Sequence, residues 1–288
     1  MQFNLLNLKG GFGNQLFQLS FANYLKNKNN IVFINTDIYK INKDLNNTRR
    51  EMVVSLDDFN FKEPPSFVNS IFSMLSFVFN SSIIMKAFPK NNNFIFKFIK
   101  DKDLDNNDIK KSIFTIYDGY WQEYKYINYS KKFLITSLSN NQLISDAIQL
   151  PKVSGSTLIH IRRQDYLKLE QELDINYYKR AIKKAKEVVK DFHFTVFTDD
   201  VEWLNTQDVF NDAVKIYSPK NVETKNDILE TFSKMLKFEN FIIANSSFSY
   251  MAAFLGSTIN SKVFYPDPWF KGRRKEISFE SNWVKIRQ

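Results

Sequence analysis

From Thr157 onward the chain alternates short apolar runs with segments whose apolar residues recur at helical spacing, and this alternation constrains the fold more than any other feature. Strands separated by amphipathic helices build βαβ units, which make a parallel sheet with helices on both faces. Residues 157–162, 192–198, 214–217, 241–244 and 263–265 read as the strands. Residues 176–189, 228–238 and 248–255 read as helices, the first with Tyr178, Ala181, Ile182, Ala185 and Val189 turned inward. The chain opens the same way, with a strand over 3–8, a glycine turn over 9–15, a helix over 16–25 and a strand over 31–35. A further strand is expected over 112–117. Pro, Gly and Ser cluster at Pro151–Ser156, which predicts an N-terminal α/β domain over 1–152 and a C-terminal domain over 153–288.

At 288 residues the chain can form two domains that each bury a core. A hydrophobic content of 43% with 25% charged residues argues for a globular protein. Lys and Arg number 40 against 31 Asp and Glu, and the resulting +9 favours nucleotide sugars, nucleic acid or anionic lipid without choosing among them. A basic nucleic-acid-binding protein is therefore the rival class, although no recognisable nucleic-acid module accompanies the charge. Zero cysteines exclude a disulfide framework and thiolate metal sites, and fit a reducing cytoplasm. Met1–Leu8 lacks the marks of a signal peptide and reads as strand. In 66–88, Asn, Ser and Lys86 interrupt the apolar run. Phe67, Ile71, Leu75 and Val78 recur there at helical spacing, so the segment reads as a helix covering a core, with a membrane-surface role as the alternative.

Thr157-Leu158-Ile159 runs straight into His160-Ile161-Arg162-Arg163-Gln164-Asp165-Tyr166. Two guanidiniums, an imidazole and a carboxylate at the end of a buried strand are costly to desolvate unless they meet an anion or one another. Ligands of open α/β sheets bind at the carboxyl ends of strands, so the position suits a phosphorylated ligand. A surface Arg–Asp network with a structural histidine is the bland reading of the same residues. Strand alternation sends Arg163 to the face opposite Arg162, toward Asp165 or another acidic neighbour. Asp199-Asp200 is adjacent rather than spaced as Asp-x-Asp, and reads as an N-cap for residues 201–204.

Gly10, Gly11 and Gly13 make a turn between strand and helix that lets backbone amides face an anion, with Gly13 expected at positive φ. Leu16 stands where the dinucleotide fingerprint needs its third glycine, and no Lys-Ser or Lys-Thr follows as in a Walker loop. Asn245-Ser246-Ser247-Phe248 sits between another strand and an apolar helix, where hydroxyls and amides either hold phosphate or cap the helix.

Four motifs then fall in order: Gly10-Gly11-Phe12-Gly13-Asn14-Gln15-Leu16-Phe17-Gln18, Asp118-Gly119-Tyr120-Trp121-Gln122, His160 to Tyr166, and Ile243-Ala244-Asn245-Ser246-Ser247-Phe248-Ser249. Together they resemble the α-1,2-fucosyltransferases, glycosyltransferase family 11, relatives of the α-1,6- and protein O-fucosyltransferases. The resemblance runs from Gly10 to Trp283-Val284-Lys285-Ile286. It implies a GT-B-like α/β fold of two Rossmann-like domains facing across a cleft, with the acceptor on the first and GDP-fucose on the second. The implied reaction is inverting, metal-independent transfer of L-fucose from GDP-fucose to O2 of a terminal galactoside, on a free or lipid-linked glycan. No cofactor beyond the donor substrate and no nucleic-acid partner is implied. The location implied is the cytoplasm, with peripheral association at the inner membrane face as an option. A sister glycosyltransferase with another donor or acceptor is the near alternative.

The resemblance places the donor against Gly11, Phe12, Gly13, Asn14, His160, Arg162, Asn245, Ser246, Ser247 and Phe248. Arg162, the first Arg of His-x-Arg, is the one it aims at the β-phosphate. Asp165 and His160 are nearest the scissile bond, Asp165 in a structural or electrostatic role, while His160 could equally read guanine. Thr231 occupies the place of the family's usual Asp, and the adjacent Glu230 is the expected substitute. Gln164 stands where Gly is usual, and Tyr250-Met251 where Trp-Trp is common. Tyr120, Trp121 and Tyr124 are expected to offer aromatic faces to the acceptor sugar, with Glu123 as a second candidate base.

Overall fold

The computed structural model describes residues 2–28, 30–40, 51–80, 95–101, 112–218, 224–272 and 277–288, apart from the side chains of 76–80. The chain divides into two compact units, Met1–Ser137 and Leu138–Gln288. In the first, β1 (Phe3–Asn7), α1 (Phe12–Lys26), β2 (Ile31–Asn35), α2 (Asp37–Lys40), α3 (Ser66–Asn80), β3 (Phe96–Lys100), β4 (Phe114–Asp118), α4 (Tyr124–Tyr129) and α5 (Lys131–Leu138) follow in order. Its strands pair in parallel in the order β2-β1-β4-β3.

The second unit runs α6 (Gln142–Gln149), β5 (Ser156–Ile161), α7 (Gln164–Lys168), α8 (Ile175–Val188), β6 (His193–Thr198) and α9 (Val201–Leu204). It continues with β7 (Lys215–Tyr217), α10 (Lys225–Met235), β8 (Asn240–Ile242), α11 (Ser247–Gly256), β9 (Val263–Asp267) and β10 (Val284–Arg287). Every pairing is parallel, in the order β10-β9-β8-β5-β6-β7. Counted from β5 this is the Rossmann order, and the switch point falls between β5 and β8. In the first sheet β1 and β4 are neighbours as well. In each unit, then, two of the sequence motifs leave adjacent parallel strands.

Apolar alternation explains the second core. Ile159, Ile161, Val196 and Ile242 meet Tyr177, Tyr178, Ala181, Ile182 and Ala185 of α8. Helix α8 adds side-chain hydrogen bonds to carbonyls near the ends of β5 and β8. The Tyr177 hydroxyl donates to Ile243 O at 2.6 Å, and that of Tyr178 to His160 O at 3.3 Å. Both tyrosines thus fix the ends of β8 and β5 while their rings fill the core.

Three local expectations are corrected. Helix α1 begins at Phe12 rather than Leu16, so Gly13 lies inside it, and the positive φ belongs to Gly10 at 81°. Among the described side chains of α3, Val68 and Phe72 are buried with Leu5, Phe96 and Ile116 and the expected Leu75 packs against the same cluster, whereas Phe67 is 69% exposed. The face is thus shifted in the first turns, where Phe72 packs edge-on to Phe114 at 5.8 Å. Val78 lies outside the described side chains. Strand β3 was not foreseen, since its single Phe-Lys-Phe-Ile-Lys run is isolated in an irregular stretch. Among the described residues no helix is long and apolar enough to cross a membrane.

Gly155 opens β5 at a φ of 75°, and a Cβ there would lie 2.2 Å from Asp191 O. Left-handed backbone alone costs a non-glycine residue about 1–2 kcal/mol, and the clash adds to it. Gly155→Ala is therefore expected to lose at least that much stability in urea unfolding, whereas Gly272→Ala, with nothing near its Cβ, should lose only the backbone part.

Candidate active site

The second unit's switch point gathers the ionisable cluster. The chain leaves β5 at Ile161, and α7 starts at Gln164, so Arg162 and Arg163 span the turn between them. Arg162 is ion-paired on two sides, its Nε 2.8 Å from Asp165 Oδ1 and its Nη1 2.9 Å from Asp199 Oδ2. Arg163 turns the other way, pairing through Nε with Asp200 Oδ2 at 3.0 Å and lying 4.0 Å from the Trp203 ring. Asp165, in the first turn of α7, meets Arg162, while Arg163 pairs with Asp200.

The adjacent aspartates split their roles. Asp200 caps α9, accepting from Trp203 N at 3.0 Å, as its position before that helix predicts. Asp199 was missed by the sequence reasoning as a site residue. Its carboxylate accepts from Arg163 N at 2.8 Å besides meeting Arg162. The signal was available, since β6 ends beside β5 and delivers its next residue to the same edge. Burial raises the Asp199 pKa, against the pull of Arg162. Burial works against the Arg162 charge, but Asp199 and Asp165 outweigh it and hold the guanidinium above its ordinary value. These contacts engage Nε and Nη1 of a five-donor guanidinium whose side chain keeps 27% exposure.

His160 is 8% exposed, with Nδ1 buried and without a hydrogen-bond partner, and its ring lies 6.3 Å from that of Phe248. Burial, reinforced by Arg162, lowers its pKa to about 3, so the imidazole is neutral at physiological pH. On the neighbouring strand Asn245 is 1% exposed; its Nδ2 donates to Gln171 O at 2.7 Å, while Oδ1 is buried without a partner. The Tyr166 hydroxyl donates to Asn245 O at 3.0 Å and ties the two motifs together. Ser246 caps α11, accepting from Phe248 N at 3.3 Å. Ser247 begins that helix. Glu230 is exposed and holds Lys234 at 2.6 Å, while Thr231 is partly buried, so the helix turns the expected substitute carboxylate outward.

In the first unit the glycine turn and the Asp118–Gln122 loop lie side by side. Lys9 Nζ meets Asp118 Oδ1 at 2.7 Å, and Gln122 Nε2 donates to Asn14 Oδ1 at 2.8 Å. Gly11 precedes α1 without a side-chain cap, and no acidic residue occupies the first turn, so the amides around Phe12 and Gly13 suit an anion. Trp121 contradicts its expected role. It is 0% exposed and stacks on Phe21 at 4.3 Å, so it belongs to the core and offers no face to a sugar. Tyr120 is 40% exposed, and Glu123 and Tyr124 are partly buried, so these three remain accessible.

Residues 3–287 match the model of Glycosyl transferase family 11. The chain belongs to that family. It is 26% identical to the O-antigen biosynthesis glycosyltransferase WbnK of Escherichia coli, over 97% of this chain and 99% of that one. It is 29% identical to an alpha-1,2-colitosyltransferase of Escherichia coli, over 99% of each chain. Among solved structures, a point variant of Arabidopsis thaliana FUT1 in complex with GDP has a TM-score of 0.51 at 12% identity, covering 94% of this chain and 72% of that one. This likeness shows a shared fold, and the family-11 glycosyltransferase has the two-unit, parallel-sheet α/β build expected of the GT-B-like class.

Because the folded pKa of His160 lies near 3 and the ordinary value is 6.5, the unfolded chain binds more protons between those limits. The stability contributed by the neutral ring is complete above about pH 6.5 and is lost as the pH falls toward 3. Urea midpoints measured from pH 7 to 4 should fall in the wild type and fall less steeply in His160→Gln, by up to about 1.4 kcal/mol per pH unit. Parallel curves would mean that folding leaves the His160 pKa at its ordinary value.

Proposed function

We propose that this family-11 glycosyltransferase moves L-fucose from GDP-fucose to O2 of a terminal galactoside with inversion, needing neither metal nor cofactor. In that reaction the acceptor oxygen bonds to C1 as the bond from C1 to the β-phosphate oxygen breaks. The electron pair stays on departing GDP, and the acceptor hydroxyl gives up its proton. Negative charge therefore develops on the diphosphate, and a fixed guanidinium is the economical group to receive it. The observation that carries this reading is Arg162, oriented from two sides by Asp165 and Asp199 at the switch point. The N-terminus of α11, with Ser246 and Ser247, lies on the adjacent strand end and supplies further donors.

The geometry supports further donor contacts. A neutral His160 suits a hydrogen bond to the nucleotide rather than acid chemistry. Asn245 Oδ1 can only accept, so it fits a hydroxyl of the donor better than a phosphate oxygen. Asp165 acts by holding Arg162, which leaves Glu123 as the proposed carboxylate near the acceptor, together with Tyr120 and Tyr124. A second reading has one specific support, the colitosyltransferase relative. Colitose is a deoxy form of fucose, and the same residues would serve its transfer from GDP.

Three comparisons test the assignment. GDP should raise the melting temperature in the presence of EDTA, and ATP should do so much less. Equal shifts would mean that the site does not distinguish guanine. Transfer measured with GDP-fucose, GDP-mannose and UDP-galactose on lactose should select the first. On the active pair, Arg162→Lys and Arg162→Ala should lose about 10²–10³ in kcat or more, whereas Arg163→Ala should chiefly lower stability. An inactive, folded Arg163→Ala beside a near-normal Arg162→Ala would move the phosphate contact to Arg163.

A further inference from the structure

We infer that Gln122 is a positioning residue that sets which end of the Asn14 amide faces the ligand. The inference rests on the reading that Asn14 touches the donor or the reacting sugar, and it concerns the chemistry Asn14 presents there. An asparagine amide has a donor end and an acceptor end of nearly equal size, so packing alone does not choose between them. Gln122 Nε2 donates to Asn14 Oδ1 at 2.8 Å, which occupies the acceptor end and turns the Nδ2 donors away from Gln122.

The backbone on either side of Asn14 is held by further hydrogen bonds. The Asn14 carbonyl accepts from Gln18 Nε2 at 2.8 Å, and the same Gln18 holds Lys9 through its N–H and its carbonyl, at 3.0 and 2.7 Å. The Gly10 carbonyl accepts from Tyr39 Oη at 2.8 Å and from Gln15 Nε2 at 3.0 Å. A Cβ at Gly10 would come within 2.9 Å of Asn14 Nδ2 and 3.0 Å of Tyr120 Cε1, so the glycine makes room for both. Backbone and Cβ of Asn14 are thus held, and the amide orientation is what Gln122 decides.

The loop that carries Gln122 is built for this placement. Trp121 adopts a φ of 54°, uncommon for a bulky residue, and is held there by stacking on Phe21 and by its N–H donating to Asp101 Oδ2 at 3.0 Å. The buried indole therefore serves as the anchor that swings the next residue toward Asn14. A ligand atom met by Asn14 is accordingly an acceptor, such as a phosphate oxygen, a ring oxygen or a hydroxyl lone pair.

Glutamate and methionine at position 122 separate orientation from packing. Gln122→Glu keeps size and can still hydrogen bond Asn14, but it accepts only, so Asn14 must turn its donors toward it and present Oδ1 to the ligand. Gln122→Met keeps approximate size and leaves the amide free to turn either way. Transfer kinetics would be measured on whichever donor and acceptor the wild type uses, with circular dichroism and melting temperature as folding controls. We expect Gln122→Glu to lose about tenfold or more in kcat/KM, matching Asn14→Asp, while Gln122→Met loses only a few-fold. A purely structural role predicts the reverse order, and Gln122→Glu as active as Gln122→Met overturns the proposal. Should Gln122→Met misfold, Gln122→Ala takes its place in the comparison. Full activity in folded Asn14→Ala and Asn14→Asp would instead remove Asn14 from the ligand site, and the orienting role falls with it.

Discussion

Everything chemical in the second unit depends on how the ends of β5 and β8 are held where their connections part. A parallel sheet satisfies its own backbone along the ladder but not at a switch point, where neighbouring chains leave in opposite directions. Helix α8 resolves this with paired tyrosines, one hydroxyl to the Ile243 carbonyl and one to that of His160. With those carbonyls taken, His160 and Arg162 on one strand end, and Asn245 and Ser246 on the other, hold fixed positions relative to one another. A looser edge would leave the guanidinium to solvent, where its charge would be worth far less.

The sequence revealed this region well because it is built from local rules. Strand alternation separates Arg162 from Arg163, and the place of Asp200 before a short helix makes it a cap. The partner of Arg162 was less legible. Asp165 is three residues on, but whether it bends back to Arg162 or to Arg163 depends on where α7 starts, and Asp199 reaches the site only through the β5–β6 pairing. Parallel neighbours are separated by a whole helix, so that contact has no short-range signature. Trp121 shows the opposite failure. An aromatic residue in a loop motif looks like a sugar platform, and only the packing of Phe21 beneath it reveals a core residue. The shift in the first turns of α3 is of the same kind, with Phe72 against Phe114 while the expected Leu75 keeps its place at the core.

The charge balance around Arg162 bears on how a diphosphate is received. Arg162 and Arg163 face Asp165, Asp199 and Asp200, which with every group ionised leaves the cluster with one more carboxylate than guanidinium. Net attraction is therefore not what the cluster offers. Arg163 and Asp200 form a closed pair beside Trp203, and burial favours the neutral form of Asp199. What remains is an Arg162 whose plane is set by Asp165 on one edge and Asp199 on another. A guanidinium fixed by folding needs no reorganisation when charge develops in front of it, and preorganised donors stabilise a transition state more than mobile charge does. The carboxylates that weaken the electrostatic field thereby sharpen its direction, and the chain's overall +9 is left to act at longer range on an anionic ligand.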